Sequence, residues 1–141
     1  MRENMGLFRG KRWEKSVFDK TDWLYGSLID SGNHGQVAIY PWFDGSSTMS
    51  VRKLVYARME GVNPETLGEC TGLKDKNGEL IFEGDIVDIL TENEEIGVVA
   101  YEDGGFLVNA DGFSIDFHAN INGADLEVIG NIHDNPELLE V

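Results

Sequence analysis

A chain of 141 residues with a hydrophobic fraction of 41% is long enough to bury a core of its own and too apolar for disorder along its whole length. Its single cysteine, Cys70, excludes an intrachain disulfide and a multi-cysteine zinc site, and no apolar run approaches the roughly 18 residues of a membrane span. The formal charge of −15 is uneven, since all 11 Lys and Arg lie within residues 1–76.

Residues 77–141 therefore carry most of the 26 Asp and Glu and no Lys or Arg. Affinity for nucleic acid comes from basic side chains that release counterions from phosphates, so we expect no binding of duplex nucleic acid. The simplest interpretation of the acidic half is a solvated surface that keeps the protein soluble. An alternative is a partner with a basic surface.

The N-terminal part, residues 1–62, is predicted to be rich in β-structure. Short apolar runs at Gly6–Trp13 and Trp23–Ile29 predict an opening pair of strands. Turn-forming residues surround the apolar run Val37–Tyr40, so residues 30–50 are predicted to form a mobile loop region.

The C-terminal part, residues 63–141, begins at Asn63-Pro64 and is predicted to be a β-meander that closes as a small SH3-like barrel. Asn77-Gly78 tolerates positive φ and predicts a hairpin. Pro136 after Asn135 predicts a short C-terminal helix. The hairpin strands and then the barrel strands are predicted at Cys70–Leu73, Glu79–Phe82, Asp85–Leu90, Ile96–Tyr101, Phe106–Asn109, Phe113–Phe117 and Leu126–Ile132. The fold class is thus mainly β, in a single domain.

Three blocks of sequence carry a family resemblance over nearly the whole chain. They are FRGKR followed by WLYG, then NPETLGECTGLKDKNGELIFEGDIV, and finally EVIGNIHDNPELL. In this order they resemble the YopX-like family of bacteriophage and prophage proteins. The resemblance implies a phage- or prophage-encoded protein. The lone cysteine and the lack of a visible export signal predict that it stays in the cytoplasm of the bacterial host. That family has no established activity, so no catalytic residue is carried over.

Local motifs for ligands fail on their spacing. The segment from Gly6 has three residues between its glycines where a P-loop has four. The calcium-loop template over Leu73–Gly84 lacks both terminal carboxylates, so Asp75 and Asn77 are predicted to be turn formers. The histidines are too far apart to predict a metal site, although Asp116 and His118 would share one face of a strand. A bound metal would point first to His118 and His133. We expect no metal, no other cofactor and no catalytic residue.

The N-terminal block is the basic and aromatic region of the chain, and it supplies the residues of a candidate interaction surface. Such residues bind single-stranded nucleic acid or form protein interfaces, and they also serve as ordinary core. The predicted surface consists of Phe8, Arg9, Lys11, Arg12, Trp13, Trp23 and Trp42.

These features favour a non-enzymatic module that binds a host or phage protein, self-associates and does not bind membranes. Two alternatives remain from other classes. One is an acidic decoy that occupies the DNA-binding surface of a host protein. The other is an enzyme whose site has no recognisable motif.

Overall fold

The protein is mainly β in the computed structural model, as the sequence predicts, with two antiparallel sheets and short 3-10 turns as its helices in the parts that are described. The chain divides into two compact units, one of Gly6–Glu69 and one of Met1–Met5 with Cys70–Val141. A single domain stays a prediction. The structure describes residues 6–13, 23–30, 37–41, 60–90, 95–117 and 122–140.

Strands of the Gly6–Glu69 unit follow one another across the sheet in the order β4-β3-β2-β1-β5. The predicted opening pair is confirmed, because β1 pairs antiparallel with β2. Of the predicted mobile loop region, residues 37–41 form β3, and residues 31–36 and 42–50 lie outside the described residues. The strands are β1 (Phe8–Lys11), β2 (Trp23–Asp30), β3 (Val37–Pro41), β4 (Glu60–Val62) and the start of β5 (Gly68–Lys74).

One face of this sheet carries the core of the unit. Leu24, Ile39 and Val62 are buried together, and Phe8 packs against them. A 3-10 turn at Pro64–Thr66 then fastens the chain back to β1, because the backbone N–H of Lys11 donates to Thr66 Oγ1 at 2.8 Å. An isolated bridge between Arg12 and Val62 joins the end of β1 to β4.

The Cys70–Val141 unit contains the predicted hairpin and the predicted meander, and both are confirmed. Gly78 has a φ of 84°, which the turn requires and which glycine adopts without steric cost. After β6 the strands lie in the order β10-β9-β8-β7-β11. They are β6 (Leu80–Phe82), β7 (Asp85–Ile89), β8 (Glu95–Glu102), β9 (Gly105–Ala110), β10 (Phe113–Asp116) and β11 (Leu126–Asn131).

The predicted closed SH3-like barrel is wrong for the described strands, which form an open sheet with β10 and β11 at its edges. The reason is that the outer edge of β11 is already hydrogen-bonded by the hairpin turn. Lys76 N donates to the carbonyl of Leu126 at 3.0 Å, and Val128 N donates to Asp75 Oδ2 at 2.9 Å. These bonds occupy the groups that a closing strand would need.

The predicted C-terminal helix is a single 3-10 turn, Pro136–Leu139, with Pro136 at its first position as expected. Asn135 does not cap the turn with its side chain. Its Oδ1 instead accepts from the backbone N–H of Asn131 at 3.2 Å, which ties the turn to the end of β11.

Candidate interaction surfaces

The predicted N-terminal surface divides between the two faces of the sheet in the Gly6–Glu69 unit. Phe8 lies on the core face and is half-buried against Leu24 and its neighbours. Arg9 and Lys11 lie on the opposite face, because side chains alternate along a strand. The register pairs Arg9 with Tyr25 and Lys11 with Trp23, so these four side chains share that face.

Two cations flank the Trp23 ring. The Arg9 guanidinium carbon lies 4.8 Å from the ring centroid and Lys11 Nζ lies 5.7 Å from it, both within the reach of a cation–π interaction. Arg9 is only 6% exposed, which makes this attraction stronger than on an open surface. Arg9 and Trp23 are therefore mainly structural, and they fix the ring that supports the rest of the face.

Large aromatic side chains remain exposed around this pair. Trp13 is 63% exposed and Tyr25 is 46% exposed. The Trp13 ring lies beside Gly61, where a Cβ would be 3.4 Å from its Cδ1, so it covers the backbone of β4. We call Lys11, Trp13, Trp23 and Tyr25 the aromatic patch.

The other two predicted residues contribute differently to this region. Arg12 is half-buried at the bridge with Val62. Trp42 lies outside the described residues.

A second surface, which the sequence did not suggest, is an open groove of about 650 Å³ on the Cys70–Val141 unit. Its apolar lining comes from β8, from the end of β9 and from the C-terminal 3-10 turn. Ile96 is 42% exposed and Leu139 is 43% exposed. The apolar lining residues are Ile96, Ala110, Leu138 and Leu139.

Carboxylates stand at the rim of this groove. Glu95 precedes Ile96 on β8, and Asp111 follows Ala110 at the end of β9. Glu137 and Glu140 flank the two leucines in sequence and are exposed. Because residues 77–141 contain no Lys or Arg, this unit supplies no cation from those positions to neutralise the rim.

The central sequence block has a structural role that centres on Asp75. Its Oδ1 accepts from the backbone N–H groups of Asn77 and Glu79, both at 2.9 Å, and its Oδ2 accepts from Val128. The prediction that Asp75 forms the turn is confirmed. Burial raises the pKa of this carboxyl, but the three N–H donors and the charge of Lys76 stabilise the carboxylate. The net pKa is below its ordinary value.

Asp85 closes the turn between β6 and β7 in a similar way. It is fully buried, and its Oδ2 accepts from the backbone N–H of Phe82 at 2.7 Å. The block that carries the family resemblance thus encodes two carboxylate-stabilised turns.

Reactive or ligating groups do not converge in the described residues. Cys70 is a buried free thiol, as predicted. No group of three or more His, Cys, Asp or Glu side chains in those ranges could hold a metal ion. His133 lies in the turn after β11, and His118 falls outside the described residues. No helix in the described part of the chain is long and apolar enough to cross a membrane.

Two antiparallel sheets, with structural carboxylates in the turns of the Cys70–Val141 unit, place the chain among mainly β proteins. Its sequence matches the family described as YopX protein over residues 13–140, and the chain belongs to that family. It is also similar to the crystal structure of protein EF1440 from Enterococcus faecalis, with 26% identity and a TM-score of 0.53. That match covers 96% of this chain and 97% of EF1440. A search of curated proteins found no match.

The sequence named Lys11, Trp13 and Trp23 of the aromatic patch but not Tyr25, and it gave no indication of the groove. The strand pattern places Ile96 on β8, and the tail Leu138-Leu139 is visible as an apolar pair. Nothing local indicates that the pair folds back beside Ile96. The signal that could have been used is the set of large apolar residues left over after the core-facing positions of each strand are assigned.

Proposed function

We propose that this protein is a non-enzymatic, phage- or prophage-encoded accessory protein that binds other protein chains through its aromatic patch, including a second copy of itself. The observation that carries the proposal is the exposure of Trp13, a side chain of a type enriched at the centres of interfaces. A single exposed aromatic residue is ordinary on a protein surface. The Trp13 ring, however, covers the non-core side of Gly61, which neighbours the core residue Val62, and Tyr25 lies on the same non-core side next to Leu24.

The chemistry of the patch suits association between proteins. Trp23 is held by two cations, so the face loses little side-chain entropy when it is covered. Trp13 and Tyr25 combine apolar area with a polar tip, which allows them to be solvated before binding and desolvated afterwards. If the patches of two copies paired with each other, Trp13 and Tyr25 of both copies would be buried in the interface.

The experiment is size-exclusion chromatography with light scattering over micromolar concentrations. We expect a mass that is a stable multiple of 15.7 kDa for the natural chain. Trp13→Glu places a charge at the centre of the patch and is expected to return the mass to that of the monomer. The matched control is Ile132→Glu, an exposed apolar residue of the other unit, which should leave the mass unchanged.

A monomeric natural chain would end the self-association part of the proposal. The same variants then test the remaining part, with protein captured from induced or infected host cells. A partner that is retained by the Ile132→Glu chain and lost by Trp13→Glu supports the patch. A partner that survives Trp13→Glu, with the fold kept by circular dichroism, places the binding surface elsewhere.

A second candidate function is an acidic decoy for a host DNA-binding protein. The observation that favours it is that exposed carboxylates recur along the Cys70–Val141 unit, including Glu102, Asp103, Asp111, Asp116 and Asp125. A decoy must compete with duplex DNA for its target, and its binding must weaken steeply with salt. A captured partner that is not displaced by duplex DNA at low salt would exclude this function.

A further inference from the structure

We propose that the groove of the Cys70–Val141 unit binds a short peptide segment in which apolar side chains are flanked by Lys or Arg. This is a second binding surface, separate in residues and in partner chemistry from the aromatic patch. Its elements are the apolar lining formed by Ile96 and Leu139 and the rim formed by Glu95 and Asp111.

The size of the groove matches a small number of side chains. Pockets of about 300–1,000 Å³ are typical of sites that enclose ligands or anchor residues, and the groove holds about 650 Å³. Ile96 and Leu139 are each more than two fifths exposed, so an inserted side chain would remove a substantial apolar area from water. The lining thus favours an apolar anchor.

The sign of the rim decides what must surround that anchor. Pairing between Gly97 and Ala110 brings Ile96 next to Asp111, so a carboxylate lies directly beside the apolar floor. Glu95 stands at the preceding position of β8. An acidic segment would bring like charges together at this rim, whereas Lys or Arg on either side of the anchor would pair with it.

Hydrogen bonds within the unit fix the shape of the groove. The turn that carries Leu138 and Leu139 is attached to β11 by the bond from Asn131 N to Asn135 Oδ1 and by the bond from Asn135 N to the carbonyl of Asn131 at 2.8 Å. The opposite wall belongs to the β8–β9 ladder. Both walls are therefore hydrogen-bonded before a peptide arrives, which reduces the entropy lost on binding.

The test uses fluorescence anisotropy with the full chain and a fluorescein-labelled peptide of sequence KKLFLRK. Two further probes separate the two parts of the proposal. EELFLEE keeps the anchor and reverses the charge, and KKSGSRK keeps the charge and removes the anchor. We expect KKLFLRK to bind at least about tenfold more tightly than either of them, because apolar burial and charge pairing are both required.

Substitutions then locate the site. Ile96→Ser and Leu139→Ser should each weaken binding of KKLFLRK roughly tenfold, the loss expected for part of one buried apolar side chain. Glu95→Gln with Asp111→Asn should weaken it only about threefold and flatten its dependence on salt. Ile132→Ser, an exposed apolar residue outside the groove, is the matched control and should bind like the natural chain.

Three results would overturn the proposal. They are no binding of KKLFLRK at about 1 mM protein, equal binding of EELFLEE, and undiminished binding by the folded chain that carries both Ile96→Ser and Leu139→Ser. If that double variant does not fold, the single variants and the three probes on the natural chain decide. Trp13→Glu should leave peptide binding unchanged, so a failure of the groove is distinguishable from a failure of the aromatic patch.

Discussion

The two compact units stabilise their turns and sheets with different chemistry. In the Cys70–Val141 unit, the buried carboxylates of Asp75 and Asp85 accept hydrogen bonds from the backbone of the turns. In the Gly6–Glu69 unit, the described contacts include an apolar cluster around Ile39, the Thr66 hydroxyl that accepts from the backbone of β1, and the two cations beside the Trp23 ring. We therefore expect the stability of the Cys70–Val141 unit to depend on the protonation of its turn carboxylates. The stability of the Gly6–Glu69 unit should depend mainly on how well its core is filled.

The tryptophans make this comparison measurable. The chain contains three, at positions 13, 23 and 42, so all of them lie within the sequence of the Gly6–Glu69 unit. Tryptophan fluorescence therefore reports on that unit, and hydrogen exchange with mass spectrometry reports on each unit separately.

Gly123→Ala is expected to be the most damaging change. A Cβ at this position would collide with the carbonyl oxygen of Lys74, which belongs to the backbone and cannot move aside cheaply. The collision would displace the strand end that leads to the Asp75 turn. We expect a loss of about 4 kcal/mol or more in the free energy of unfolding, measured by chemical denaturation.

The matched control for this change is Gly105→Ala in the same unit. A Cβ there meets nothing within 4 Å, so the loss should stay within about 0.5 kcal/mol. Similar losses for the two variants would mean that the unit tolerates movement at Lys74 and would contradict the tight packing described here.

Ile39→Ala tests the apolar unit. Ile39 is fully buried in the cluster with Leu24 and Val62, and its truncation leaves a cavity worth about 3 kcal/mol. We expect the loss to be the same at pH 7 and at pH 4, with hydrogen-exchange protection falling first in residues 6–69. A loss that changed with pH would show that titratable groups contribute to this core. Ile129→Ala, at an exposed position, should change little.

Asp75→Asn tests the carboxylate unit. The substitution keeps the size of the side chain but removes the second acceptor oxygen, so the backbone N–H of Val128 would face an amide donor. We expect a loss of about 2 kcal/mol at pH 7. Hydrogen-exchange protection should fall in residues 70–141. Tryptophan fluorescence, which reports on the Gly6–Glu69 unit, should change little.

The pH dependence of this variant has a defined sign. The pKa of Asp75 is lower in the folded protein than its ordinary value of about 3.9. Its stabilisation is therefore complete above that value and is lost as the pH falls through the folded pKa. The stabilities of the natural chain and Asp75→Asn should therefore approach each other only as the pH falls below the ordinary value and through the lowered pKa of the folded protein. The surface change Glu102→Gln should leave the acid part of the natural stability curve unchanged. Parallel curves would show that the carboxylate is not linked to folding.

The smallest effect is expected from the ion pair between Lys76 Nζ and Glu127 Oε2, which are 2.8 Å apart on the surface. The bond to Glu127 raises the pKa of Lys76, but solvent screens the attraction. A double-mutant cycle of Lys76→Met and Glu127→Gln should give a coupling near the limit of measurement that disappears in 1 M salt. A coupling that persists in salt would mean that this pair, and not only Asp75, fastens β11 to the hairpin turn.

The sequence alone determined the mainly β fold, the opening strand pair and the central hairpin with its turn at Asn77-Gly78, because these depend on residues close together in the chain. It also indicated that Asp75 forms a turn. Only the tertiary structure decided that the second sheet stays open, since the competing bonds to β11 join residues that are 53 positions apart in one case and nearly as far apart in the other. The groove likewise depends on a long-range contact, because it forms only where the chain folds back and places Leu139 beside Ile96. Each residue by itself is an ordinary apolar side chain in the sequence.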